Sequence, residues 1–210
     1  MYTLYGSRGS GSAAAEMGLH AAGLPYRVVR ASRWEADSAQ EELRKVNPLL
    51  QIPTLVLPDG AVMTESAAIL MHLGLDAAPA SALLPKDPRS RAQSLRGLVY
   101  IPANCYSGIT ILDYPGRFTT ATDEPSLEAI RQGTRAQMHR NWEVFADTFP
   151  ATPFLAGDAP GALDFLAVVV SKWGGTRQHL QVHRPRFTEL LARIQAHPAV
   201  APVYSQHWDS

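Results

Sequence analysis

The 210-residue chain has little cysteine, no long apolar run and no excess of charge of one sign. Cys105 is its only cysteine, which excludes an internal disulfide framework and a multi-cysteine zinc site and fits a reducing compartment. The longest apolar run, Phe165–Val170, is far too short to span a bilayer, and the N-terminus does not resemble a secretory signal. The 19 Lys and Arg residues balance 19 Asp and Glu residues, so nucleic acid or an anionic membrane finds little electrostatic attraction. We therefore expect a cytoplasmic protein that binds neither nucleic acid nor membranes.

The richest local pattern of the chain lies between Asn47 and Met71. The Ile52–Pro53 bond stands directly before a β-prone run. A Pro-Asp-Gly turn then divides residues 54–63 into the two strands of a hairpin, because proline presets φ and glycine supplies a positive φ. Thr64-Glu-Ser66 follows and opens an apolar helix, in positions where Ser and Thr favour a helix start.

The order of these signals predicts a binding site for a small peptide. Cis peptide bonds are essentially confined to X-Pro, and a cis Ile52–Pro53 bond would turn the main chain of Ile52 away from the sheet, where a ligand can pair with it as an extra strand. The helix start at Glu65–Ser66 suits a carboxylate, and the side chain of Glu65 suits an ammonium group. The alternative is an ordinary hairpin before a core helix, with Pro53 as a trans loop proline.

The first thirty residues predict a strand, a helix and a second strand. Tyr2–Tyr5 and Tyr26–Arg30 are the strands, and the helix between them covers Ala13 to about Ala22. Such a unit is right-handed with parallel strands, so together with the hairpin it predicts a small mixed sheet. The loop GSRGSGS before the helix fits neither common glycine-rich phosphate-binding motif. Its hydroxyls, Ser10 and Ser12, can stabilise an anion near the helix N-terminus or simply cap the helix.

The loop YGSRGSGS and the spacing from Ile52–Pro53 to Glu65–Ser66 resemble the N-terminal domain of glutathione S-transferases. The resemblance implies a thioredoxin-like α/β domain over residues 1–75. It also implies that glutathione, as co-substrate, binds at Ile52, Pro53, Glu65 and Ser66, and that the protein is a homodimer.

In this family a Tyr, Ser or Cys near the loop faces the sulfur of glutathione. A hydroxyl that donates a hydrogen bond to the sulfur favours the thiolate, which is the nucleophilic form. The loop is most similar to Y-x-x-x-G-S-C-S of bacterial beta-like members, but Gly11 stands where those proteins have the active cysteine. Ser10 is therefore expected to be the catalytic residue, with Ser12 the second choice and Tyr5 the third.

The remainder of the chain resembles the all-α C-terminal domain of the same family. Three prolines in residues 76–88 predict a linker, and residues 89–210 then show mostly helical patterns. The segment FLAGDAPGALDFLA matches the one that starts the family's central buried helix, so Asp164 is expected to be structural. Cys105 is expected to be a small buried filler rather than a nucleophile.

The first helix of this second domain is expected to face the active site. It is predicted from Arg89 to about Ile111, with a kink caused by Pro102. Tyr100, Asn104 and Tyr106 are the residues expected to line the pocket for the electrophile.

For several side chains, the spacing along the sequence does not decide between a binding role and a structural one. Arg33, Gln40 and Lys45 are each able to bind the glycine carboxylate of glutathione. His179 and His183 have the i, i+4 spacing of helical metal ligands, but the nearby glycines and Pro185 argue against a stable helix there. We therefore expect no metal site.

The resemblance implies conjugation of the glutathione thiol to apolar electrophiles, with detoxification as the corresponding role. Glutathione-dependent isomerisation, dehalogenation and peroxide reduction are alternatives that use the same first domain. A further alternative is a binding or regulatory protein that kept the fold without the chemistry, because the loop cysteine is missing.

Overall fold

A computed structural model of the protein describes residues 1–81, 83–151 and 153–208. Its first part contains a four-stranded sheet in the order β2-β1-β3-β4, whose strands are β1 Tyr2–Gly6, β2 Tyr26–Arg30, β3 Thr54–Val56 and β4 Val62–Thr64. Strands β1 and β2 are parallel, whereas β3 runs antiparallel to both β1 and β4. The predicted strand–helix–strand unit and the predicted hairpin are both confirmed.

Three helices accompany the sheet, namely α1 Ser12–Ala21, α2 Gln40–Val46 and α3 Ser66–His72, and a π-helical turn over Leu73–Ala77 extends the last of them. Helix α1 is buried along most of its length and lies against α3, where Gly18 allows the side chain of Leu70 to approach. The loop before β3 is held by Asn47, whose Nδ2 donates to the Gln51 carbonyl and to Thr54 Oγ1.

The second part of the chain is helical. Its helices are α4 Pro88–Tyr100, α5 Ser107–Asp113, α6 Glu124–Thr148, α7 Ala162–Val170, α8 Thr176–His183, α9 Pro185–Ala196 and α10 Ala201–Trp208. All nine residues of α7 are buried, so this helix forms the centre of the core. Together with the sheet domain, this arrangement confirms the predicted fold class, a thioredoxin-like α/β domain followed by an all-α domain.

Pro102 shapes the connection between α4 and α5. Proline lacks an N–H, and its ring crowds the carbonyl one turn earlier, so an α-helix cannot continue undisturbed. The chain forms a wider π-helical segment over Ile101–Tyr106, after which the N–H of Ser107 donates to the carbonyl of Pro102, five residues back. The predicted long helix is therefore present but carries an extra-wide turn, which changes the direction in which its side chains point.

Two helices differ from the sequence-based expectation. Helix α8 forms despite the neighbouring glycines, because Gly175 has φ +74°, which suits glycine and starts the helix. Helix α10 follows α9 and was not predicted. Among the helices of the described residues, none combines the length and apolar character needed to cross a membrane.

The predicted domain limits stay a prediction. The π-helical turn Leu73–Ala77 carries regular structure across the limit at residue 75, and α4 begins at Pro88. Ala82, in the predicted linker, and Thr152, Asp209 and Ser210, in the predicted second domain, lie outside the described residues.

Candidate active site

A cavity of about 530 Å³ opens between the loop before α1 and the helical part of the chain. Its first wall consists of residues from the sheet domain: Gly9, Ser10, Gly11, Trp34 and Ile52. Its second wall consists of residues from the helices: Tyr106, Ile109, Thr110, Leu112, Asp113, Arg135, Trp173 and Gly174. The two walls bring together aromatic, apolar and hydroxyl-bearing side chains, a lining suited to a small organic ligand.

Ser10 lies on the first wall, but its hydroxyl is already engaged inside the loop. Its Oγ is 2.8 Å from the Ser7 carbonyl and 2.8 Å from Ser12 Oγ, and it accepts a bond from the N–H of Ser12. A hydroxyl has one proton, and both protein acceptors within reach belong to the loop. Ser10 would have to give up one of these bonds to donate to a ligand.

Ser12 and Tyr5 do not reach the cavity. Ser12 Oγ accepts a hydrogen bond from the N–H of Ser7 and lies against Gly6, where a Cβ would meet it at 2.6 Å. The ring of Tyr5 packs in a separate small core with Ala31 and Leu43. Ser12 thus closes the loop, and Tyr5 fills the core beneath it.

The Ile52–Pro53 peptide bond is cis. Ile52 lines the cavity and lies outside β3, which begins at Thr54. Among the hydrogen bonds between described residues, none uses the main-chain N–H or carbonyl of Ile52. These groups are therefore open to pairing with a ligand.

Glu65 and Ser66 lie at the start of α3, next to the loop that precedes α1. Glu65 has φ +66°, a left-handed conformation that is unusual for a residue with a side chain, and its side chain is exposed. Such outliers cluster at functional sites. Ser66 is buried, and its Oγ is 3.5 Å from the carbonyl of Gly11. The pair predicted from the sequence therefore lies beside the first wall.

Tyr106 approaches the loop from the second wall. Its ring stacks on that of Trp173, with a centroid distance of 5.6 Å and an interplanar angle of 12°. Burial, followed by the negative charges of Glu65 and Asp113, raises the pKa of Tyr106 to about 12.

The structure does not bring Tyr100 and Asn104 to the cavity, in contrast to the prediction. The Tyr100 hydroxyl donates to the Asn141 carbonyl, and its ring contacts Phe145 and Phe149. Asn104 Nδ2 donates to the Tyr100 carbonyl on an exposed face. The prediction is therefore corrected for these two residues. Positions 100 and 104 lie near one face of a helix with about 3.6 residues per turn, whereas position 106 lies well away from that face, so Tyr106 can line the cavity while the other two do not.

The sequence analysis missed much of the second wall. Trp173, Asp113 and Arg135 come from three different elements, and no local motif connects them. The pair Gly174–Gly175 after a strongly apolar helix was the available signal, since Gly174 has φ +65° and lies against Met138, where a Cβ would not fit. None of the three glycine-carboxylate candidates Arg33, Gln40 and Lys45 lines the cavity, so that assignment stays a prediction.

A second polar cluster lies outside the cavity. Glu143, His179 and His183 have ligand atoms within 4.8 Å of one another, and α8 presents the two histidines one turn apart. However, Glu143 Oε1 is bonded to His179 at 2.7 Å and Oε2 pairs with Arg184 at 3.2 Å. Both carboxylate oxygens of Glu143 are thus already bonded within the protein, one to His179 of α8 and the other to Arg184 just after this helix.

Two reactive residues serve the core. The carboxylate of Asp164 accepts hydrogen bonds from the N–H groups of Leu155, Ala156 and Gly161, as expected of a structural acid. Cys105 is buried, which raises the pKa of its thiol to about 12, so it is not a thiolate near neutral pH.

Comparison with known sequences places the chain among related proteins. A sequence model described as the N-terminal domain of glutathione S-transferase matches residues 12–75. The uncharacterized GST-like protein YncG of Escherichia coli K12 is 33% identical over 209 residues, which cover 99% of this chain and 98% of that protein.

Comparison with solved structures gives the same picture. A glutathione transferase homologue from Sulfitobacter, crystallised with bound glutathione, superposes with a TM-score of 0.81 at 25% identity and covers 97% of this chain and 96% of its own. A glutathione transferase from Methylococcus capsulatus superposes with a TM-score of 0.76 at 26% identity, covering 98% of both chains.

Proposed function

The chain belongs to the glutathione S-transferase family, and from this premise we propose that it binds glutathione and conjugates the thiol to apolar electrophiles. Ile52, Pro53, Glu65 and Ser66 hold the peptide part of glutathione, and the thiol enters the cavity beside Ser10. The observation that carries the proposal is the meeting of the unpaired main chain of Ile52 and the hydroxyls of Ser10 and Tyr106 in one cavity.

The binding mode follows from the free groups of the first wall. The cysteinyl main chain of glutathione pairs with the N–H and carbonyl of Ile52, as an added strand pairs with a sheet edge. The carboxylate of Glu65 attracts the ammonium of the γ-glutamyl end, and the Ser66 hydroxyl is placed to bond its carboxylate. One small peptide thus uses all of these groups.

The chemistry requires the thiolate form of glutathione. The thiol loses its proton to solvent, and the sulfur electron pair then forms a bond to an electrophilic carbon. In a substitution, the leaving group departs with the electrons of the bond that breaks. The apolar side chains Ile109 and Leu112 and the indole of Trp173 line the second wall and provide the surface for an apolar electrophile, so proximity supplies much of the acceleration.

Isothermal titration with glutathione tests the binding step, and a panel of aryl halides, epoxides, activated alkenes, organic peroxides and cis-alkene acids tests the reaction. We expect saturable glutathione binding and turnover of aryl halides or activated alkenes. If the protein does not bind glutathione at millimolar concentration, the proposed function is wrong. The panel also separates conjugation from peroxide reduction and isomerisation.

The second candidate function is glutathione binding without transfer chemistry. Gly11 favours it, because the residue provides no thiol where beta-like relatives carry one. It predicts binding in the titration but no turnover with any member of the panel.

The family resemblance also supports a cytoplasmic homodimer as part of the proposal. Light scattering coupled to size-exclusion chromatography is expected to give about twice the chain mass of 22.9 kDa. A mass equal to that of one chain would contradict this part alone.

A further inference from the structure

Gly11 is the point at which the two walls of the cavity come closest. Its backbone has φ −61° and ψ −17°, a helical conformation that any residue adopts, so its backbone does not require glycine. The space around position 11, in contrast, does require a glycine. A Cβ on Gly11 would collide with the Tyr106 hydroxyl and lie 3.2 Å from Cζ and 3.5 Å from Cε1 of the same ring.

The phenol of Tyr106 therefore occupies the space that a side chain at position 11 would fill. Position 11 is where beta-like loops place their active cysteine, as the resemblance of the loop shows. A reactive group is thus present at this point of the cavity, although it comes from the π-helical segment of the second wall and not from the loop.

The Tyr106 hydroxyl is available to a ligand. Among the hydrogen bonds of the described residues, none involves it, whereas the Ser10 hydroxyl has two partners in its own loop. Stacking on Trp173 fixes the ring at the cavity wall. A preorganised donor of this kind costs little rearrangement when a ligand arrives.

The surroundings keep the phenol protonated. Burial is the main cause, and the carboxylates of Glu65 and Asp113 add to it, so the pKa of Tyr106 is raised to about 12. Below that pH the group remains a hydrogen-bond donor. A donor to the charged form of a neighbouring group lowers that group's pKa.

We propose that Tyr106 donates a hydrogen bond to the sulfur of bound glutathione and thereby replaces the missing loop cysteine as the residue that faces the thiol. This inference rests on the proposed function, since it requires glutathione in the cavity. The thiol proton leaves to solvent, the electron pair stays on sulfur, and Tyr106 stabilises the thiolate without transferring its own proton. Ser10 then serves mainly to hold the loop in the shape that admits the sulfur.

Tyr106→Phe tests the inference, because it removes only the hydroxyl. An absorbance titration of bound thiolate is expected to show the thiol pKa raised by about 1 to 2 units relative to the unchanged protein, and kcat/KM at neutral pH reduced ~100-fold. Glutathione affinity measured by calorimetry at a pH where the thiol is protonated is expected to stay the same. Tyr114→Phe is the matched control, since Tyr114 is 51% exposed and lies outside the cavity.

The outcomes separate this inference from the proposed function. Glutathione binding with an unchanged thiol pKa in Tyr106→Phe overturns the inference alone. A full pKa shift in Ser10→Ala and none in Tyr106→Phe also overturns it and returns the role to Ser10. An absence of glutathione binding by the unchanged protein overturns the proposed function, and the inference with it.

A double-mutant cycle tests the geometry without any ligand. Gly11→Ala is expected to lower the Tm in the presence of Tyr106 and to lower it much less, or not at all, when Tyr106→Ala has emptied the space. Equal effects of Gly11→Ala in both backgrounds would mean that the phenol does not occupy the position, and the inference would fall.

Discussion

The two walls of the cavity differ in how the chain specifies them. The first wall and the residues beside it carry local signals, because Ile52–Pro53, the hairpin and Glu65–Ser66 follow one another within twenty residues. On the second wall, Tyr106, Asp113 and Arg135 come from three helical segments and Trp173 from the turn after α7, so they meet only after the helical part has folded. The first wall can therefore be recognised from short sequence patterns, whereas the second is a product of tertiary packing.

The difference also separates their roles. The first wall offers main-chain groups, and Glu65 beside it adds a negative charge, which together suit a ligand of fixed chemistry. The second offers aromatic and apolar surface, together with Asp113 and Arg135, which suits a ligand of variable shape. Substitutions that change one wall at a time test this difference in roles.

The largest effect, on the free energy of unfolding, is expected from Asp164→Ala, next to the second wall. Asp164 lies in the first turn of α7, which packs against the segment that carries Tyr106. Asp164→Ala leaves three N–H groups, one buried and two partly buried, without their acceptor. We expect a loss of at least about 3 kcal/mol in the free energy of unfolding, measured by urea denaturation. Asp158→Ala, a change to an exposed residue, is the control, and equal effects of the two would show that the carboxylate does not hold this region together.

A smaller effect, confined to the first wall, is expected from Glu65→Gln. The change removes the negative charge proposed to attract the ammonium of glutathione while keeping the size of the side chain. Glutathione affinity should fall by roughly 10- to 100-fold, as measured by calorimetry, with little change in Tm. Glu41→Gln, at an exposed position of α2, is the control and should leave the affinity for glutathione unchanged. If Glu65→Gln also leaves the affinity unchanged, Glu65 does not bind the ammonium group.

A still smaller effect is expected from Arg135→Leu on the second wall. Arg135 lines the cavity on α6, so its loss should raise KM for a carboxylate-bearing electrophile by about fivefold, within the range of a partly exposed charge interaction. The glutathione affinity and the KM for a neutral electrophile should stay constant. Arg140→Leu, on the same helix but outside the cavity, is the control. An equal rise in KM in both variants would mean that the effect comes from a general disturbance of α6 and not from a contact between Arg135 and the electrophile.

The smallest effect is expected from Asn104→Ala. Its side chain bonds to the Tyr100 carbonyl on an exposed face, so we expect less than about a twofold change in any kinetic constant. Steady-state kinetics with two electrophiles of different size checks this. A change of tenfold or more in a kinetic constant would show that Asn104 does contribute to the electrophile pocket.

The same division explains how much the sequence could predict. The sheet and the hairpin could be predicted because strand patterning and turn chemistry act over a few residues. The residues alone left cis and trans open at Ile52–Pro53, and the family resemblance favoured the cis bond. The same resemblance, over residues 154–167, implied the structural role of Asp164.

The errors lie where packing decides. Tyr106 lines the cavity and Tyr100 and Asn104 do not, because positions 100 and 104 share a helix face that position 106 does not. Which of these faces meets the first wall is decided by tertiary packing. Helix α8 was doubted because of Gly175, whose positive φ in fact helps to start it. The meeting of Gly11 with Tyr106 joins residues almost a hundred positions apart, so no window of sequence contains both.

A crystal structure of the protein with glutathione tests the central claim most directly. We expect the cysteinyl main chain to pair with the N–H and carbonyl of Ile52 and the sulfur to lie within hydrogen-bond reach of the Tyr106 hydroxyl. A tripeptide bound away from Ile52, or a sulfur that faces the helices and contacts neither Tyr106 nor the loop, would contradict it.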